Sequence, residues 1–146
     1  MEDGGDLDAQ VWADYQAGAA WMTQQVTSYY SYYGNTTWYQ AVGYPLLKGN
    51  ALFWLEYLQP DTYFNDGTLV AAPCTSPEHG PVTFGCAHYS QVIWELFDTI
   101  LNTWSDSGDT DEAFRSAIQD AHSNIDRKST RLNSSHSGES RMPSSA

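Results

Sequence analysis

Apolar side chains recur at helical spacing along four segments of the chain, and the first two segments predict helices joined by a short corner. The first predicted helix covers about residues 9–31, and Gly34 should end it. The second covers about residues 37–59, where Pro45 should kink the helix or mark a second start. Their apolar stripes are Val11, Tyr15, Ala19, Met22, Val26 and Tyr29 or Tyr30 in the first helix, and Leu47, Ala51, Trp54, Leu55 and Leu58 in the second.

The other two segments predict a second pair of helices. The third predicted helix covers about residues 87–104 and is broken by residues 105–108. Asp109 or Thr110 should cap the fourth helix, with Glu112 at the capping-box position for Asp109. Their stripes are Val92, Ile93, Leu96, Phe97, Ile100 and Leu101, then Phe114, Ala117, Ile118 and Ala121. Because each helix is joined to the next by a loop, we predict a mainly α fold of antiparallel helical hairpins.

Between the second and third helices the pattern changes to short extended runs and a proline-rich loop. Residues 63–70 predict a tight turn at Asp66 and Gly67 between two extended runs. Residues 71–86 contain three prolines and two glycines, which exclude a helix and remove backbone donors from any sheet. We therefore expect a rigid, irregular connection at residues 71–86.

This proline-rich loop carries the main candidate for chemistry. Glu78 lies at its middle, and the two cysteines of the chain, Cys74 and Cys86, bracket it. A disulfide between them would stabilise the protein by roughly 3 kcal/mol, whereas the alternative is a pair of buried thiols. A stiff loop that presents one carboxylate suits a catalytic group, but a solvated turn glutamate fits the same residues.

The charge of the chain argues against two classes of partner. The formal net charge is −12, and residues 1–125 hold two Lys or Arg residues, Lys48 and Arg115, against 16 acidic residues. Such a surface repels phosphate backbones and anionic membranes, so we expect neither nucleic-acid nor membrane binding. Six Trp, ten Tyr and five Phe suit stacking on sugar rings, and they equally suit a core of bulky rings.

The two ends of the chain are interpreted separately from residues 9–125. Residues 1–8 are acidic and Gly-rich, predict a loop at the edge of a fragment, and lack the pattern of a signal peptide. Residues 126–146 resemble the translation of a common sequencing-library adapter, so we interpret them as a non-native tail that packs against nothing. A natural Ser-rich disordered tail is the alternative.

Four motifs occur in an order that resembles one glycosidase family. They are residues 44–49 (Tyr-Pro-Leu-Leu-Lys-Gly), 53–55 (Phe-Trp-Leu), 66–70 (Asp-Gly-Thr-Leu-Val) and 73–78 (Pro-Cys-Thr-Ser-Pro-Glu). From about residue 15 to residue 100 the chain resembles the α-L-fucosidases of glycoside hydrolase family 95, and residues 78–81 and 85–89 resemble its fungal branch. The resemblance implies a secreted protein and a partial (α/α)6 barrel, with about two of six helical hairpins and a proline-rich active-site loop.

The resemblance also implies a mechanism and a substrate class. The family is of the inverting type, in which one carboxylic acid protonates the leaving oxygen and one carboxylate activates water. Glu78 matches the acid, whereas the base is expected outside this chain, and no role is assigned to Asp14 or Asp66. We expect exo-acting hydrolysis of terminal α-L-fucosides in oligosaccharides or polysaccharides, without a cofactor. The alternatives are an α-L-galactosidase of the same family and an inactive, decayed or artefactual fragment with at most carbohydrate binding.

Further candidate residues surround this assignment. His79 and Trp21 are candidate sugar contacts, although Trp21 and Trp12 fit a core better. His79 and His88 lie nine residues apart with one clear carboxylate between them, which does not make a recognisable metal site. For His88 a structural or orienting role is favoured. Asn35, followed by two threonines, offers both a helix cap and an N-glycosylation sequon.

Three positions depart from the family's pattern. Tyr15 and Gln16 stand where the family usually has Trp-Pro, and Tyr89 stands where the bacterial pattern has Asp. Sugar contacts that the family makes at these positions are therefore not carried over. The assigned acid, Glu78, needs apolar neighbours and no close cation to stay protonated, and Lys48 is the only Lys or Arg that precedes it.

Overall fold

The computed structural model describes residues 15–76 and 79–125, and for residues 76 and 79–81 it describes the backbone alone. Within these ranges the chain is mainly helical, as predicted. The helices are α1 (Ala17–Tyr33), α2 (Thr36–Trp38), a π-helical turn (Tyr39–Gly43), α3 (Tyr44–Tyr57), α4 (Ala87–Asn102), α5 (Trp104–Ser107) and α6 (Glu112–Asn124). The strands β1 (Leu58–Pro60), β2 (Leu69–Ala71), β3 (Cys74–Ser76) and β4 (His79–Thr83) form two pairs between α3 and α4. The expectations for residues 1–8, for Trp12 and for the tail at 126–146 fall outside the described ranges.

Helix α1 ends where the sequence predicts, and its buried face agrees with the predicted apolar stripe in part. Gly34 has left-handed backbone angles, with φ 61°, and its N–H donates to the carbonyl oxygen of Tyr30 at 2.8 Å. Tyr30 of that stripe packs against the core, whereas Met22, which also belongs to it, is 73% exposed. Ala17 and Ala20, which lie outside the stripe, are buried, and their small side chains let α1 approach its neighbours closely.

Pro45 marks a second helix start, which is one of the two predicted outcomes. It lies in the first turn of α3, directly after the π-helical turn, where its missing N–H costs no helical hydrogen bond. Gly43 lets the π-helical turn pack closely on α1, because an added Cβ would lie 3.1 Å from Cγ1 of Val26. Helix α3 ends at Tyr57, two residues earlier than predicted, because Leu58 is extended and begins β1.

The prediction for residues 63–70 is wrong in its first extended run. Strand β1 instead precedes that segment and pairs antiparallel with β2, so that Leu58 lies opposite Ala71. Residues 63–65 are not extended, because the Asp61 carboxylate accepts hydrogen bonds from the N–H groups of Tyr63 and Phe64 at 2.8 and 3.1 Å. The Asp61 side chain thus turns the chain where the first extended run was predicted to begin.

The expectation of a wholly irregular connection at residues 71–86 is also wrong, because β3 and β4 pair as an antiparallel hairpin. Cys74 lies opposite Thr83, and Ser76 lies opposite His79. The register shifts between these two pairs, and Pro81 falls in the stretch of β4 that separates them. A bulge tolerates proline, since no ladder hydrogen bond there requires its missing N–H.

The fourth predicted helix begins later than expected. Asp111 caps α6 by accepting a hydrogen bond from its first turn at 3.0 Å, so the prediction of Asp109 or Thr110 as the cap is wrong. Asp109 instead accepts a hydrogen bond from Nζ of Lys48 at 2.7 Å. The predicted break at residues 105–108 is wrong in part, because α5 continues the helical path until Gly108, which has φ 71°.

The core lies between α1, α3, α4 and α6 and consists largely of rings. Tyr39, Trp54, Tyr89 and Phe97 are fully buried. Trp54 and Tyr89 meet edge to face with their ring centroids 5.8 Å apart, a geometry that aromatic pairs prefer. Part of the aromatic-rich composition therefore serves packing, and the rings outside this core remain for other roles.

Candidate active site

A disulfide closes the hairpin formed by β3 and β4. Cys74, at the start of β3, is bonded to Cys86, directly before α4, and their Cα atoms are 6.0 Å apart. Both cysteines are buried, and Oγ1 of Thr83 lies 3.5 and 3.4 Å from their sulfur atoms. The two ends of the segment that contains Glu78 are thus joined to each other and to the helical frame.

The end of α3 holds the backbone that leads into this hairpin. The hydroxyl of Tyr57 donates to the carbonyl oxygen of Pro73, and Nε2 of Gln59 donates to that of Ala72, each at 2.5 Å. Both acceptors lie directly before Cys74 in the chain. The entry to the hairpin is therefore anchored independently of the disulfide.

Four rings gather where the start of α1 meets the start of α4, and we call them the ring cluster: Tyr15, Trp21, His88 and Tyr89. Tyr15 and His88 stack with their centroids 5.7 Å apart, and the Tyr15 hydroxyl is hydrogen-bonded to Nε2 of His88. Trp21 meets the edge of His88 at 6.5 Å, and Tyr89 meets Tyr15 edge to face at 5.9 Å. Because His88 and Tyr89 closely follow Cys86, the ring cluster adjoins the exit of the hairpin.

Burial keeps the polar atoms of the ring cluster uncharged. It lowers the pKa of His88 below the ordinary value of 6.5, and it raises the pKa of Tyr15 above the ordinary value of 10.0. The Tyr15 hydroxyl and Nε2 of His88 share one hydrogen bond, whose direction depends on which ring nitrogen of the neutral imidazole carries the proton. The ring cluster thus offers aromatic faces and hydrogen-bonding atoms without a fixed charge, which suits contact with a neutral sugar.

Tyr89 lies at the base of the ring cluster and joins α4 to the start of α1. Its side chain is fully buried, and its hydroxyl donates to Oε1 of Gln16 at 2.8 Å. Burial raises the pKa of Tyr89 above the ordinary value of 10.0. The hydroxyl therefore connects α4 to the start of α1.

Of the predicted catalytic and sugar-binding residues, the structure describes the side chain of Trp21. Glu78 and the side chain of His79 lie outside the described part of the chain. Trp21 is 58% exposed, so the prediction that this ring belongs to the core is wrong. The physical reason is that Ala17 and Ala20 occupy the core-facing side of α1, which leaves Trp21 on the surface beside His88.

Two other predicted residues have local structural roles. Asn35 is exposed and caps α2, because its Oδ1 accepts a hydrogen bond from the N–H of Trp38 at 3.0 Å, which confirms the predicted cap. Its glycosylation stays a prediction. Oδ1 of Asp66 accepts hydrogen bonds from the N–H and the hydroxyl of Thr68 at 3.2 and 2.7 Å, which places this carboxylate in the turn before β2. Asp14 lies outside the described ranges.

Lys48, the only Lys or Arg that precedes Glu78 in the chain, forms ion pairs with carboxylates of the connection between α5 and α6. Its Nζ donates to Oδ2 of Asp109 at 2.7 Å and to Oδ2 of Asp111 at 3.4 Å. Burial alone would raise the pKa of Asp109, but hydrogen bonds from Lys48 and Tyr44 outweigh it and lower that pKa to about 2. This network ties α3 to the connection between α5 and α6.

The contacts of Tyr15, Gln16 and Tyr89 were not predicted from the sequence. The two hydrogen bonds, from Tyr15 to His88 and from Tyr89 to Gln16, each join residues 73 positions apart. No local pattern relates side chains at that separation. The available signal was the departure from the family's pattern at these same three positions, which marked them as unusual without showing that they lie together.

An open apolar groove of about 430 Å³ lies between α1 and α3. Its lining includes Ala19, Leu46, Asn50 and Phe53. The two polar atoms of the Asn50 side-chain amide are buried there without a hydrogen-bond partner. Buried polar groups ordinarily have hydrogen-bond partners, so the Asn50 amide lacks partners that a neighbouring segment would supply if it packed on this wall of the groove.

Two classes of feature are absent from the described ranges. Across residues 15–76 and 79–125, no three His, Cys, Asp or Glu side chains gather as a possible metal site. In this same part of the chain, no helix combines the length and the apolar character needed to cross a membrane.

Residues 2–137 match the model of one family, the "Glycosyl hydrolase family 95 catalytic domain". Because the match covers most of the 146 residues, the chain belongs to glycosyl hydrolase family 95. The resemblance drawn from the four sequence motifs is thus confirmed. The matched range extends beyond residue 125 into the adapter-like segment, whose interpretation stays a prediction.

Three relatives are fucosidases by name. "Probable alpha-fucosidase A" of Aspergillus niger is 52% identical over 123 residues, which cover 82% of this chain and 16% of the relative. The protein of that name from Aspergillus oryzae is 35% identical over 56% of this chain and 11% of its own length. "Alpha-L-fucosidase 2" of Arabidopsis thaliana is 29% identical over 73% of this chain and 13% of its own length. The chain thus spans at most about a sixth of these relatives.

Proposed function

We propose that this chain is a segment of an inverting exo-α-L-fucosidase and that Glu78 is its general acid. The disulfide-closed hairpin is the observation that carries the proposal, because Glu78 lies between β3 and β4 in the chain and Cys74 is bonded to Cys86. A carboxyl group on a short, anchored hairpin loses little freedom when it is aligned with a substrate. Family membership and the names of the relatives support the substrate class.

The chemistry requires two carboxyl groups in opposite protonation states. A carboxylic acid protonates the departing glycosidic oxygen while a carboxylate on the other face of the sugar takes a proton from the attacking water. Apolar surroundings and the absence of a nearby cation keep the acid protonated. The neutral ring cluster and the engagement of Lys48 with Asp109 support such surroundings. We assign the base to a part of the catalytic domain outside this chain.

Trp21 and His79 are the proposed sugar contacts. The exposed ring of Trp21 offers a flat apolar face, against which the C–H groups of a sugar ring can stack. His79 follows the proposed acid directly in the chain, and we propose that it hydrogen-bonds hydroxyls of the same sugar. His88 meets the Trp21 ring edge on and is proposed to orient it.

We further infer that the described helices form part of an (α/α)6 barrel, about two of its six hairpins. The short coverage of the relatives supports this inference, since most of each relative lies outside the matched segment. The groove between α1 and α3, with exposed Leu46 and Phe53 and the unpaired amide of Asn50, is the surface on which neighbouring helices would pack. Without those helices and the base, the 146-residue chain should have no hydrolytic activity.

Secretion and glycosylation complete the proposal. Disulfides persist in oxidising compartments, so the bond between Cys74 and Cys86 supports an extracellular protein. Asn35 lies exposed at the corner between α1 and α2, where a glycan would meet solvent. Its cap hydrogen bond uses Oδ1, so attachment of a sugar to Nδ2 would leave the cap intact.

The test of the general acid is Glu78→Gln in a polypeptide that carries the rest of the family 95 catalytic domain. The variant should fold and bind substrate normally, but it should lose roughly 10²- to 10⁴-fold in rate on fucosides with poor leaving groups. Fucosides whose leaving groups need no protonation should be affected much less. Kinetics on both substrate types measure this contrast.

Glu112→Gln is the matched control, because Glu112 is an exposed carboxylate on α6 that pairs with Arg115 at 3.6 Å. It should leave both rates unchanged. A small and equal loss on both substrate types in Glu78→Gln would refute the assignment of the acid. Faster hydrolysis of α-L-galactosides than of α-L-fucosides would favour the galactosidase alternative, and inactivity of the unmodified polypeptide on both would favour a decayed protein.

A further inference from the structure

We propose that the glycan on Asn35 packs against exposed tyrosine rings beside its attachment point and thereby stabilises the corner between α1 and α2. This inference rests on the glycosylation of Asn35 proposed above, but not on the assignment of the general acid. The rings concerned are those of Tyr29, Tyr32, Tyr33 and Trp38, which we call the corner patch. None of them belongs to the ring cluster or to the fully buried core.

The four rings of the corner patch form one continuous surface. The centroid of the Tyr29 ring lies 4.3 Å from that of Trp38 and 4.6 Å from that of Tyr33, and Tyr32 meets Tyr33 at 5.0 Å. Tyr32 and Tyr33 are 82% and 64% exposed. Rings that already hold one another in place lose little further freedom when a ligand covers them.

Tyr30, on the same helix, shows how a tyrosine with a packing role differs. Its ring stacks on the buried ring of Tyr39 at 4.1 Å, and its hydroxyl donates to Oδ2 of Asp106 at 2.9 Å. Tyr32 and Tyr33 do not pack against the core in the part of the chain that the structure describes. Their large exposed rings are therefore available to a ligand.

Asn35 presents its attachment atom at the edge of the corner patch. Oδ1 of Asn35 accepts the hydrogen bond from the N–H of Trp38, so Nδ2 is the atom that remains for a sugar. Tyr33 precedes Asn35 by two residues, which span at most about 7 Å of chain, so the first sugar lies within side-chain reach. In the transfer from a lipid diphosphate carrier, the bond from C1 of the sugar to the phosphate oxygen breaks and the bond from C1 to Nδ2 forms. The diphosphate leaves on the carrier, and Nδ2 releases one proton.

The chemistry of the corner fits a neutral sugar. Residues 17–47 contain no Asp, Glu, Lys, Arg or His, although the chain as a whole has a formal net charge of −12. The C–H face of an N-acetylglucosamine can pack on an aromatic face. Because the glycan is covalently attached beside the rings, its effective concentration there is high and a weak contact is sufficient.

The first test is a double-mutant cycle on the 146-residue chain, secreted from a glycosylating host and trimmed enzymatically to a single N-acetylglucosamine. Tyr33→Ala is made in the original chain and in Thr37→Val, which removes the sequon. With the sugar present, Tyr33→Ala should lower the equilibrium constant of folding, measured by urea unfolding, about fivefold more than without it. Tyr63→Ala, at an exposed tyrosine between β1 and β2, is the matched control and should have the same effect in both backgrounds.

NMR of the trimmed glycoprotein provides a second measurement that needs no variant, and it decides the outcome if Tyr33→Ala does not fold. Sugar protons that lie over an aromatic face shift upfield. The sugar signals of the folded chain should therefore lie upfield of those of the same chain unfolded in urea.

Three results would overturn the proposal in distinguishable ways. Equal effects of Tyr33→Ala with and without the sugar, or sugar signals that do not change on unfolding, would refute the contact and leave the glycosylation intact. A chain whose mass shows no glycan would refute the glycosylation and the contact together. Dimerisation of Thr37→Val that Tyr33→Ala abolishes would assign the corner patch to a second copy of the chain.

Discussion

Replacing Asp109 with asparagine should destabilise the chain by about 2 kcal/mol at neutral pH. Oδ2 of Asp109 accepts hydrogen bonds from Nζ of Lys48 and from the hydroxyl of Tyr44, each at 2.7 Å. The Asp109 side chain is 13% exposed and that of Lys48 is 26% exposed, so solvent screens this pair only in part. The amide keeps the shape of the carboxylate but loses its charge, and Lys48 would be left with Asp111 at 3.4 Å.

Two ways of counting the same hydrogen bonds give a similar magnitude for Asp109→Asn. Hydrogen bonds to charged groups contribute about 1.5–3 kcal/mol each, and the variant weakens two of them while keeping some of their energy. The pKa of Asp109 falls from 3.8 to about 2 on folding, and a difference of this size corresponds to about 2 kcal/mol of stability.

Urea unfolding at several pH values checks this prediction for Asp109. Because the folded-state pKa lies below the ordinary value of 3.8, the stabilisation is complete above that pH and is lost as the pH falls towards 2. The difference between the original chain and Asp109→Asn should therefore shrink over this range. Asp120→Asn, at an exposed aspartate on α6, is the control and should change stability by less than about 0.5 kcal/mol. A difference that is absent at pH 7, or that persists undiminished at pH 2, would refute the reasoning.

Two further predictions concern the corner between α1 and α2 and two glycines, Gly34 at that corner and Gly49 inside α3. Thr37→Val should abolish glycosylation in a secretory host, measured by gel mobility, and keep the Asn35 cap. Asn35→Ala should abolish glycosylation and also lower stability by about 1 kcal/mol, measured by thermal unfolding. Equal stability of the two variants would contradict the cap. Gly34→Ala should lower the free energy of unfolding by about 1 kcal/mol, because the φ of Gly34 is 61°. Gly49→Ala should raise it by roughly 0.5–1 kcal/mol, because Gly49 lies inside α3 and nothing lies within 4 Å of an added Cβ. Unfolding curves in which both variants change stability in the same direction would contradict these backbone conformations.

The helices could be predicted from the sequence where a local signal decides the outcome. Gly34 ends α1, and Pro45 starts α3, because backbone geometry at glycine and proline depends little on distant residues. The cap of α6 could not be chosen locally, since Asp109, Thr110 and Asp111 are all suitable caps. Lys48, which lies 61 positions from Asp109, binds that carboxylate and leaves the cap to Asp111.

The cysteine pair of the candidate site could be predicted from the sequence, but the exposed position of Trp21 could not. Cys74 and Cys86 bracket Glu78 in the sequence, which allowed a disulfide or two buried thiols, and the structure contains the disulfide. The exposed position of Trp21 does not follow from hydropathy, because a large ring ordinarily favours burial. Small residues at neighbouring positions decide which face of α1 packs, and that choice depends on helices far along the chain.

The disulfide between Cys74 and Cys86 also determines how the protein would respond to a protease. The bond spans 12 positions, and a single cut anywhere between the two cysteines would leave the two halves of the chain covalently joined. The nicked protein would migrate as one species on a non-reducing gel and separate into two pieces after reduction. A cleavage product of this kind could therefore go unnoticed in any preparation that is assessed only without reductant.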